Sequence, residues 1–357
     1  MEDAHQHILK LRLHPNHAYF GLFDGHLGDQ ASKWCADFLH IYLDSLKEFT
    51  PENIKGACLR ADHDLKDHIH QDGCTGVFAL LEHVNNPPNP EKPWNILVGN
   101  VGDSRAMLAR DGKTLVSLSD DHKPNNPEEH KRIIDSGGMV RNNRVNGDLA
   151  VSRAFGDFKY KNKPALKAEQ QAVTAVPDFI SAESVGGNDF LVICCDGLIE
   201  VLDNERIVEF ISHRLEEEQT DLAVIAGQLC DLVANNGGRD NMSLMIIQFV
   251  DGRSYHAPDE FVPVPAAEFE NSVNEEGEIE FPRFVENHAN LNWEEVLDVY
   301  GESIRALLPE KSGHSDHTPS WTSVPVSITP EGSQEAQVED SSSESDEEQV
   351  GRTDPVV

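Results

Sequence analysis

Two kinds of hydrophobic pattern alternate along residues 18–250. Short runs rich in Val, Ile, Leu and Phe, bounded by Gly, Asp or Asn, are typical of strands. Other segments place apolar residues three or four positions apart, as one face of a helix requires. The strand-like runs cover residues 18–23, 75–83, 95–110, 114–119, 189–195 and 241–250. The helix-like segments cover residues 31–48, 51–71, 127–138, 203–217 and 221–235.

The order of these segments indicates which class of mixed fold they build. The runs at 95–110 and 114–119 follow one another with no helix between them, which favours a hairpin and hence antiparallel sheet. The helices are also grouped, whereas a doubly wound fold alternates strand and helix strictly. We therefore predict an α+β fold.

The pattern changes after residue 250. Residues 257–282 are acidic and rich in Pro, as in a linker or an extended surface strap, and 292–308 return to helical spacing. This helix either docks on the folded domain or serves a partner. The remaining chain is rich in Ser and acidic residues and has too few apolar residues to form a core, so we predict disorder. The predicted units are a folded domain at 1–250, a linker with a helical extension at 251–311, and a disordered acidic tail at 312–357.

The composition narrows the range of binding partners and cellular compartments that we expect. The formal net charge of −34 argues against binding to nucleic acid, which requires clustered Lys and Arg. No stretch is long and apolar enough to span a bilayer, so we expect no membrane partner. The six cysteines form no C-x-x-C pair or regular framework, which is typical of a reducing compartment. We expect the protein in the cytoplasm or the nucleus.

Acidic residues stand where several apolar runs begin or end. Asp24 and Asp196 each close such a run and are followed by Gly, and Asp240 immediately precedes another run. Glu2 and Asp3 stand at the beginning of a further candidate strand. Any one of them could be a hydrated turn residue. Together they indicate strand ends that deliver oxygen ligands to one place.

Hard divalent cations suit such a cluster. Mg²⁺ and Mn²⁺ bind carboxylate, carbonyl and water oxygens, and one Asp can bridge two ions. A Gly beside the Asp lets its carbonyl approach a metal with no side chain in the way. Unpaired, this much negative charge in one cleft is unfavourable, so the pattern predicts bound cations.

A series of motifs in fixed order carries a specific resemblance. They read MEDAH, FGLFDGHLG, NVGDSRAML, LSDDHKPNNPEEHKRI, GGMV…RVNGDLAVSRAFGDFKYK, CCDGLIEVLDNE and GGRDNMSLMIIQF. The chain resembles the metal-dependent protein serine/threonine phosphatases of type 2C, from Met1 to about Val250. The resemblance implies a four-layer αββα sandwich of two antiparallel sheets flanked by helices. It also implies that 1–250 are the catalytic domain, without the first strand of that fold.

The resemblance assigns metal ligands to this chain. Asp24 becomes the bridging ligand of two Mn²⁺ or Mg²⁺ ions, and the carbonyl of Gly25 a ligand of the first. Asp196 and Asp240 become ligands of the second ion. Glu2 and Asp3 hold metal-bound waters or complete the shell.

The same resemblance assigns an acid, a third metal site and a flap. His26 becomes the general acid that protonates the departing serine or threonine oxygen. Asp121 belongs to a third, weaker metal site in many relatives. Glu200 stands where relatives often carry an Asp for that site. Residues from about 123 to 172 contain a mobile flap beside the cleft.

The implied activity is hydrolysis of phosphoserine and phosphothreonine in proteins, with a metal-activated water and no covalent intermediate. We expect phosphoproteins as substrates and a monomer as the working form. Relatives usually carry a phosphate-binding arginine a few residues before the MED stretch, and the given sequence begins at Met1. This leaves an alternative open, a weakly active or inactive relative that binds phosphoproteins or acts as a scaffold.

Overall fold

The computed structural model of the protein describes residues 1–69, 71–217 and 221–249. The strands are β1 (Ala4–Ile8), β2 (His17–Phe23), β3 (Gly25–His26), β4 (Gly73–Cys74), β5 (Gly76–His83), β6 (Trp94–Val101), β7 (Arg105–Arg110), β8 (Thr114–Ser117), β9 (Val140–Arg141), β10 (Arg144–Val145), β11 (Phe155–Gly156), β12 (Asp178–Val185), β13 (Phe190–Cys194) and β14 (Leu244–Gln248). The helices are α1 (Gln30–Asp44), α2 (Pro51–Leu65), α3 (Pro127–Asp135), α4 (Asp196–Ile199), α5 (Asn204–Glu216) and α6 (Leu222–Asn235), with short 3₁₀ turns at Phe158–Tyr160 and Ala168–Gln170. The predictions for 251–311 and 312–357 lie outside the described residues.

Two antiparallel sheets face one another across the main core. One has the strand order β1-β2-β5-β6-β12 and the other the order β14-β13-β7-β8. Alternate side chains of β2, such as Phe20 and Leu22, pack in one buried cluster with β7 and β13, which contribute Leu108 and Val192. This alternation is what a half-buried strand requires, and it makes the space between the sheets apolar.

Helices cover the outer face of each sheet. The opposite side chains of β2, Tyr19 and Phe23, pack with Leu39 of α1 and Ile54 of α2. On the other side of the molecule, α5 and α6 pack against the second sheet, where Ile211 belongs to the main core. The layers therefore run helix, sheet, sheet, helix, and the predicted four-layer αββα sandwich of the α+β class is confirmed.

Several predicted boundaries differ from the structure. The run at 95–110 is two strands, β6 and β7, because a turn at Gly102 with a φ of 119° separates them. The helix predicted at 51–71 ends at Leu65, and the sequence pattern did not single out β12. Among the described residues, none of the helices is both long and apolar enough to cross a bilayer.

The segment 123–172, predicted as the flap, has a small core of its own. Ile133 of α3 packs with Val145 of β10 and with Val151 and Tyr160 in that core. A charged cluster joins the segment to β12. Glu129 accepts hydrogen bonds from Arg153 at 2.8 and 3.0 Å and contacts Arg132 at 2.8 Å.

The ion pairs of Glu129 predict that the free energy of unfolding decreases at acidic pH. Burial alone would raise the pKa of Glu129, but its bonds to Arg132 and Arg153 outweigh burial and lower that pKa to about 2 from 4.5. A lowered folded-state pKa contributes stability above pH ~4.5, and this contribution is lost as the pH falls toward 2. We expect Glu129→Gln to lower the free energy of unfolding by up to about 3 kcal/mol at pH 7, and the difference from wild type to shrink below pH 5.

Urea unfolding from pH 7 to pH 3 measures that difference. The neighbouring Glu128 is exposed, so Glu128→Gln is the matched control and should leave the free energy of unfolding within about 0.5 kcal/mol of wild type. A Glu129→Gln difference that stays constant across this pH range would contradict the assignment.

Candidate metal centre and active site

The first pair of strands brings two acidic residues to one corner of the five-stranded sheet. β1 pairs antiparallel with β2 so that Ala4 lies opposite Phe23. Asp3 and Asp24, one residue beyond these positions, are therefore neighbours across the strand pair. Ser243, just before β14 in the second sheet, donates a hydrogen bond from its hydroxyl to Asp3 at 2.7 Å. The corner thus lies where the two sheets meet.

The second sheet brings two further acidic residues to its own edge. Asp196 is the first residue of α4, directly after β13, and Asp240 precedes β14, which pairs with β13. Gly197 allows these segments to approach closely. A Cβ at Gly197 would lie 2.0 Å from the carbonyl oxygen of Asn241 and 3.4 Å from Cβ of Asp240.

Asp24 links the two pairs. It lies opposite Asp3 across the β1–β2 pair, and it is close enough to Asp196 for the charges of both residues to act on its carboxyl group. Burial raises the pKa of Asp24 to about 10, and the charges of Asp3 and Asp196 add to this effect. Burial also raises the pKa of Asp3, whose Oδ1 is buried without a hydrogen-bond partner among the described residues. These carboxylates therefore repel one another when no cation balances them.

Gly25 and Glu2 fit closely against each other beside Asp24. A Cβ at Gly25 would lie 2.2 Å from the carbonyl oxygen of Glu2, so this position excludes any side chain. The carboxylate of Glu2 accepts a hydrogen bond from the backbone amide of Gly28 at 2.7 Å. Glu2 therefore holds the turn after His26 in place.

Asp103 and Lys123 also belong to the site, although the sequence analysis gave neither of them a role. Asp103 follows the Gly102 turn and is 2% exposed, and its carboxylate forms an ion pair with the ammonium of Lys123. Burial, and then the charge of Asp103, raises the pKa of Asp196 to about 7. Asp103 also stands beside a Gly between two apolar runs, although here the Gly precedes the Asp, so a search for either order could have identified it.

The two residues predicted for a third metal have different surroundings. Arg105 binds Asp121 with both ends of its guanidinium, at 2.8 and 3.0 Å, which engages both carboxylate oxygens. Glu200 ends α4, and its charge acts on Asp196. The structure thus places Glu200 beside the cluster and pairs Asp121 with an arginine, and the third site stays a prediction.

His26 follows the acidic corner directly. Its Nε2 atom lies 2.7 Å from Oδ2 of Asp157, a residue 131 positions later in the chain to which the sequence analysis gave no role. Burial alone would lower the pKa of His26, but the hydrogen bond and the charge of Asp157 outweigh it, so this pKa is raised. The carboxylate of Asp157 therefore favours the protonated form of the imidazole.

The donor set fits a divalent cation. Among the described residues, no three Asp, Glu, His or Cys side chains are already arranged as the ligands of one ion. The ligand chemistry is nevertheless all oxygen, and the unpartnered Oδ1 of Asp3 and the mutual repulsion around Asp24 are what a hard cation would relieve. The residues that would hold the metal are Asp3, Asp24, Asp196 and Asp240, with the carbonyl of Gly25.

The chain is similar to known proteins over most of its length. The sequence model of the family "Protein phosphatase 2C" matches residues 1–242. A probable protein phosphatase 2C of Caenorhabditis elegans is 36% identical over 269 residues, which cover 71% of this chain and 72% of the relative. Protein phosphatase 2C homolog 2 of Schizosaccharomyces pombe is 38% identical over 271 residues, covering 71% and 70%.

A solved structure is similar over the same part of the chain. The crystal structure of a phosphatase from a pathogenic strain of Toxoplasma gondii superimposes with a TM-score of 0.65 at 30% identity. The match covers 71% of this chain and 90% of that one. The two sequence relatives above match the same fraction of this chain.

Proposed function

The chain belongs to the protein phosphatase 2C family and is therefore a metal-dependent protein serine/threonine phosphatase that acts on phosphoproteins, and from this premise we propose how its own residues carry out the reaction. Two Mn²⁺ or Mg²⁺ ions bind at the corner where the sheets meet. Water attacks the phosphorus of phosphoserine or phosphothreonine directly, with no covalent intermediate, and His26 is the general acid. The position of Asp24, opposite Asp3 at the end of the β1–β2 pair and within reach of the charge of Asp196 after β13, is the observation that carries this proposal.

The distribution of the candidate ligands supports the proposal of two ions. Asp3 and the carbonyl of Gly25 lie beside Asp24 at the end of the β1–β2 pair, and Asp196 and Asp240 lie together where β13 ends and before β14 begins. Asp24 lies within reach of the charges of Asp3 and Asp196, and we assign it to both groups. When bound, divalent cations lower the pKa of water and neutralise charge that develops on phosphoryl oxygens.

Direct attack by water is supported by the low reactivity of the nearest cysteine thiol, that of Cys195. Cys195 lies next to Asp196, but it is buried and its sulfur lies 3.2 Å from both the carbonyl of Asn241 and the amide of Ser243. Burial raises the pKa of this thiol far above its usual range, so it has little thiolate character.

The alternative of a weakly active or inactive scaffold has no support in these comparisons. A cationic side chain within the described site is available for the substrate phosphate. In the ion pair between Asp103 and Lys123, Lys123 is the more exposed partner, with 38% of its side chain accessible. We propose that Lys123 contributes to phosphate binding.

A leaving-group comparison tests the role of His26. Serine and threonine alkoxides are strong bases that need a proton as they leave, whereas p-nitrophenolate does not. We expect His26→Gln to lower kcat on a phosphothreonine peptide by about 10²–10⁴, the usual contribution of a general acid, and to lower kcat on p-nitrophenyl phosphate much less. Steady-state kinetics with saturating Mn²⁺ measures both. Equal losses on the two substrates would remove His26 from the role of acid.

A further inference from the structure

Asp157 is a buried carboxylate that the ligand cluster does not use. Its side chain is 0% exposed, and Oδ2 lies 2.7 Å from Nε2 of His26. Its other oxygen, Oδ1, is buried and has no hydrogen-bond partner among the described residues. A buried carboxylate with an unpaired oxygen destabilises the fold, and among the described residues its side-chain hydrogen bond is the one with His26.

A separate small sheet brings this carboxylate to the histidine. Its strand order is β11-β4-β3, with Gly156 and His26 on either side of Gly73. Asp157 follows β11 directly. A Cβ at Gly73 would lie 2.4 Å from Oδ2 of Asp157 and 2.8 Å from Nε2 of His26. The hydrogen-bonded side chains of Asp157 and His26 therefore pack against position 73, which only glycine can occupy.

The backbone around Asp157 is fixed on both sides. Its φ of 53° lies in the left-handed region, which Asp and Asn tolerate better than other residues with a side chain. Its amide donates to the carbonyl oxygen of Asp72 at 3.1 Å, and the amide of Gly156 donates to Asp62 at 2.8 Å. The carboxylate is thus held in one orientation.

The imidazole has one nitrogen left for the substrate. In the described part of the chain, Nδ1 of His26 makes no hydrogen bond, and it is not among the buried polar atoms that lack a partner. The side chain is 26% exposed. Nδ1 is therefore the nitrogen that solvent and substrate can reach.

We propose that Asp157 is a positioning residue that holds the proton of His26 on Nε2 and so makes Nδ1 the atom that delivers a proton to the leaving group. This rests on the proposed role of His26 as general acid. In the step, the bond from phosphorus to the serine or threonine oxygen breaks and its electron pair stays on that oxygen. The Nδ1 proton moves to the same oxygen, and His26 remains as the neutral ring whose Nε2–H donates to Asp157.

Asp157→Asn is the variant that tests this role. Asn has the same shape and accepts the left-handed backbone, so the fold is retained, but it removes the charge that stabilises the imidazolium and fixes its tautomer. We expect kcat on the phosphothreonine peptide to fall by about 10–100-fold more than kcat on p-nitrophenyl phosphate. Because both residues act as one unit, His26→Gln with Asp157→Asn should be no slower on the peptide than His26→Gln alone.

A matched control uses another buried aspartate. Asp189 is 0% exposed and lies before β13, at the opposite end of that strand from Asp196. Asp189→Asn removes a buried charge from a site unrelated to His26. It should leave the ratio of the two rates unchanged even where it lowers the melting temperature.

A direct measurement of the tautomer keeps the test independent of activity. In ¹⁵N-histidine-labelled full-length protein with Mg²⁺, the His26 ring signals, assigned through His26→Gln, should show Nε2 protonated in wild type. A neutral ring protonated on Nδ1 alone, or a leaving-group ratio in Asp157→Asn equal to wild type, would overturn the positioning role. If His26→Gln itself leaves that ratio unchanged, the general-acid proposal fails instead.

Discussion

Asp24→Asn is expected to lower metal-dependent hydrolysis of a phosphothreonine peptide by about 10³ or more and to make the metal-free protein more stable. The loss of rate follows because Asp24 is the group that both ligand pairs share, and metal ions contribute several kcal/mol to such reactions. The gain in stability follows because Asp24 is a buried carboxyl group placed between Asp3 and Asp196. At neutral pH the unfolded chain ionises this group whereas the folded, metal-free protein keeps it neutral because its pKa is raised, and Asp24→Asn removes that cost of about 1–3 kcal/mol.

Thermal unfolding with and without metal measures both effects. Wild type in excess chelator should melt below Asp24→Asn. With metal at 100 times its Kd, wild type should gain about 2.7 kcal/mol by mass action, and the variant should gain much less. Asp29→Asn, at an exposed aspartate paired with Lys33 on the surface, is the control and should follow wild type in both conditions. An Asp24→Asn protein that keeps its rate, or melts lower than wild type in chelator, would refute the assignment of Asp24.

The parts of the fold that the sequence predicted are those with a strong local pattern. β2, β5 and β13 are buried nearly throughout, and their apolar runs are bounded by turn residues. β12 has a weak pattern because it lies at the edge of its sheet and shifts register after Ala182, so most of its side chains remain exposed or half-buried. The end of α2 was misplaced because helical spacing continues past Leu65 after the helix hydrogen bonds stop.

The site residues likewise fall into those that a local sequence pattern reveals and those whose contacts are distant in the chain. Asp24, Gly25 and His26 are adjacent in the chain and end an apolar run, so a local pattern reveals them. The contact between His26 and Asp157 spans 131 residues and depends on three two-residue strands, for which there is no periodic signal. The partner of Asp121 also escaped local pattern, because Arg105 lies 16 residues away on the other side of a hairpin.

The second large effect is expected at a buried ion pair that supports the same small sheet. Lys161 donates to both carboxylate oxygens of Asp62, at 2.7 and 2.8 Å, and to the carbonyl oxygen of Ala154 at 2.8 Å. The two side chains are 7% and 9% exposed. Lys161→Met keeps an unbranched chain of similar length but leaves Asp62 buried without its cation. We expect the free energy of unfolding to fall by about 3–5 kcal/mol.

Urea unfolding at neutral pH measures this loss, and two further variants separate its causes. Lys33→Met breaks the exposed pair with Asp29 and should lose less than about 1 kcal/mol. Adding Asp62→Asn to Lys161→Met removes the stranded charge and should restore part of the stability, because most of the loss comes from that charge and not from packing. A Lys161→Met protein within about 1 kcal/mol of wild type would show that water reaches Asp62. Asp62 also accepts a hydrogen bond from the amide of Gly156, which lies beside Asp157. The Lys161→Met variant should therefore lower the rate on the phosphothreonine peptide more than the rate on p-nitrophenyl phosphate. That result would connect the Lys161–Asp62 ion pair to the orientation of His26.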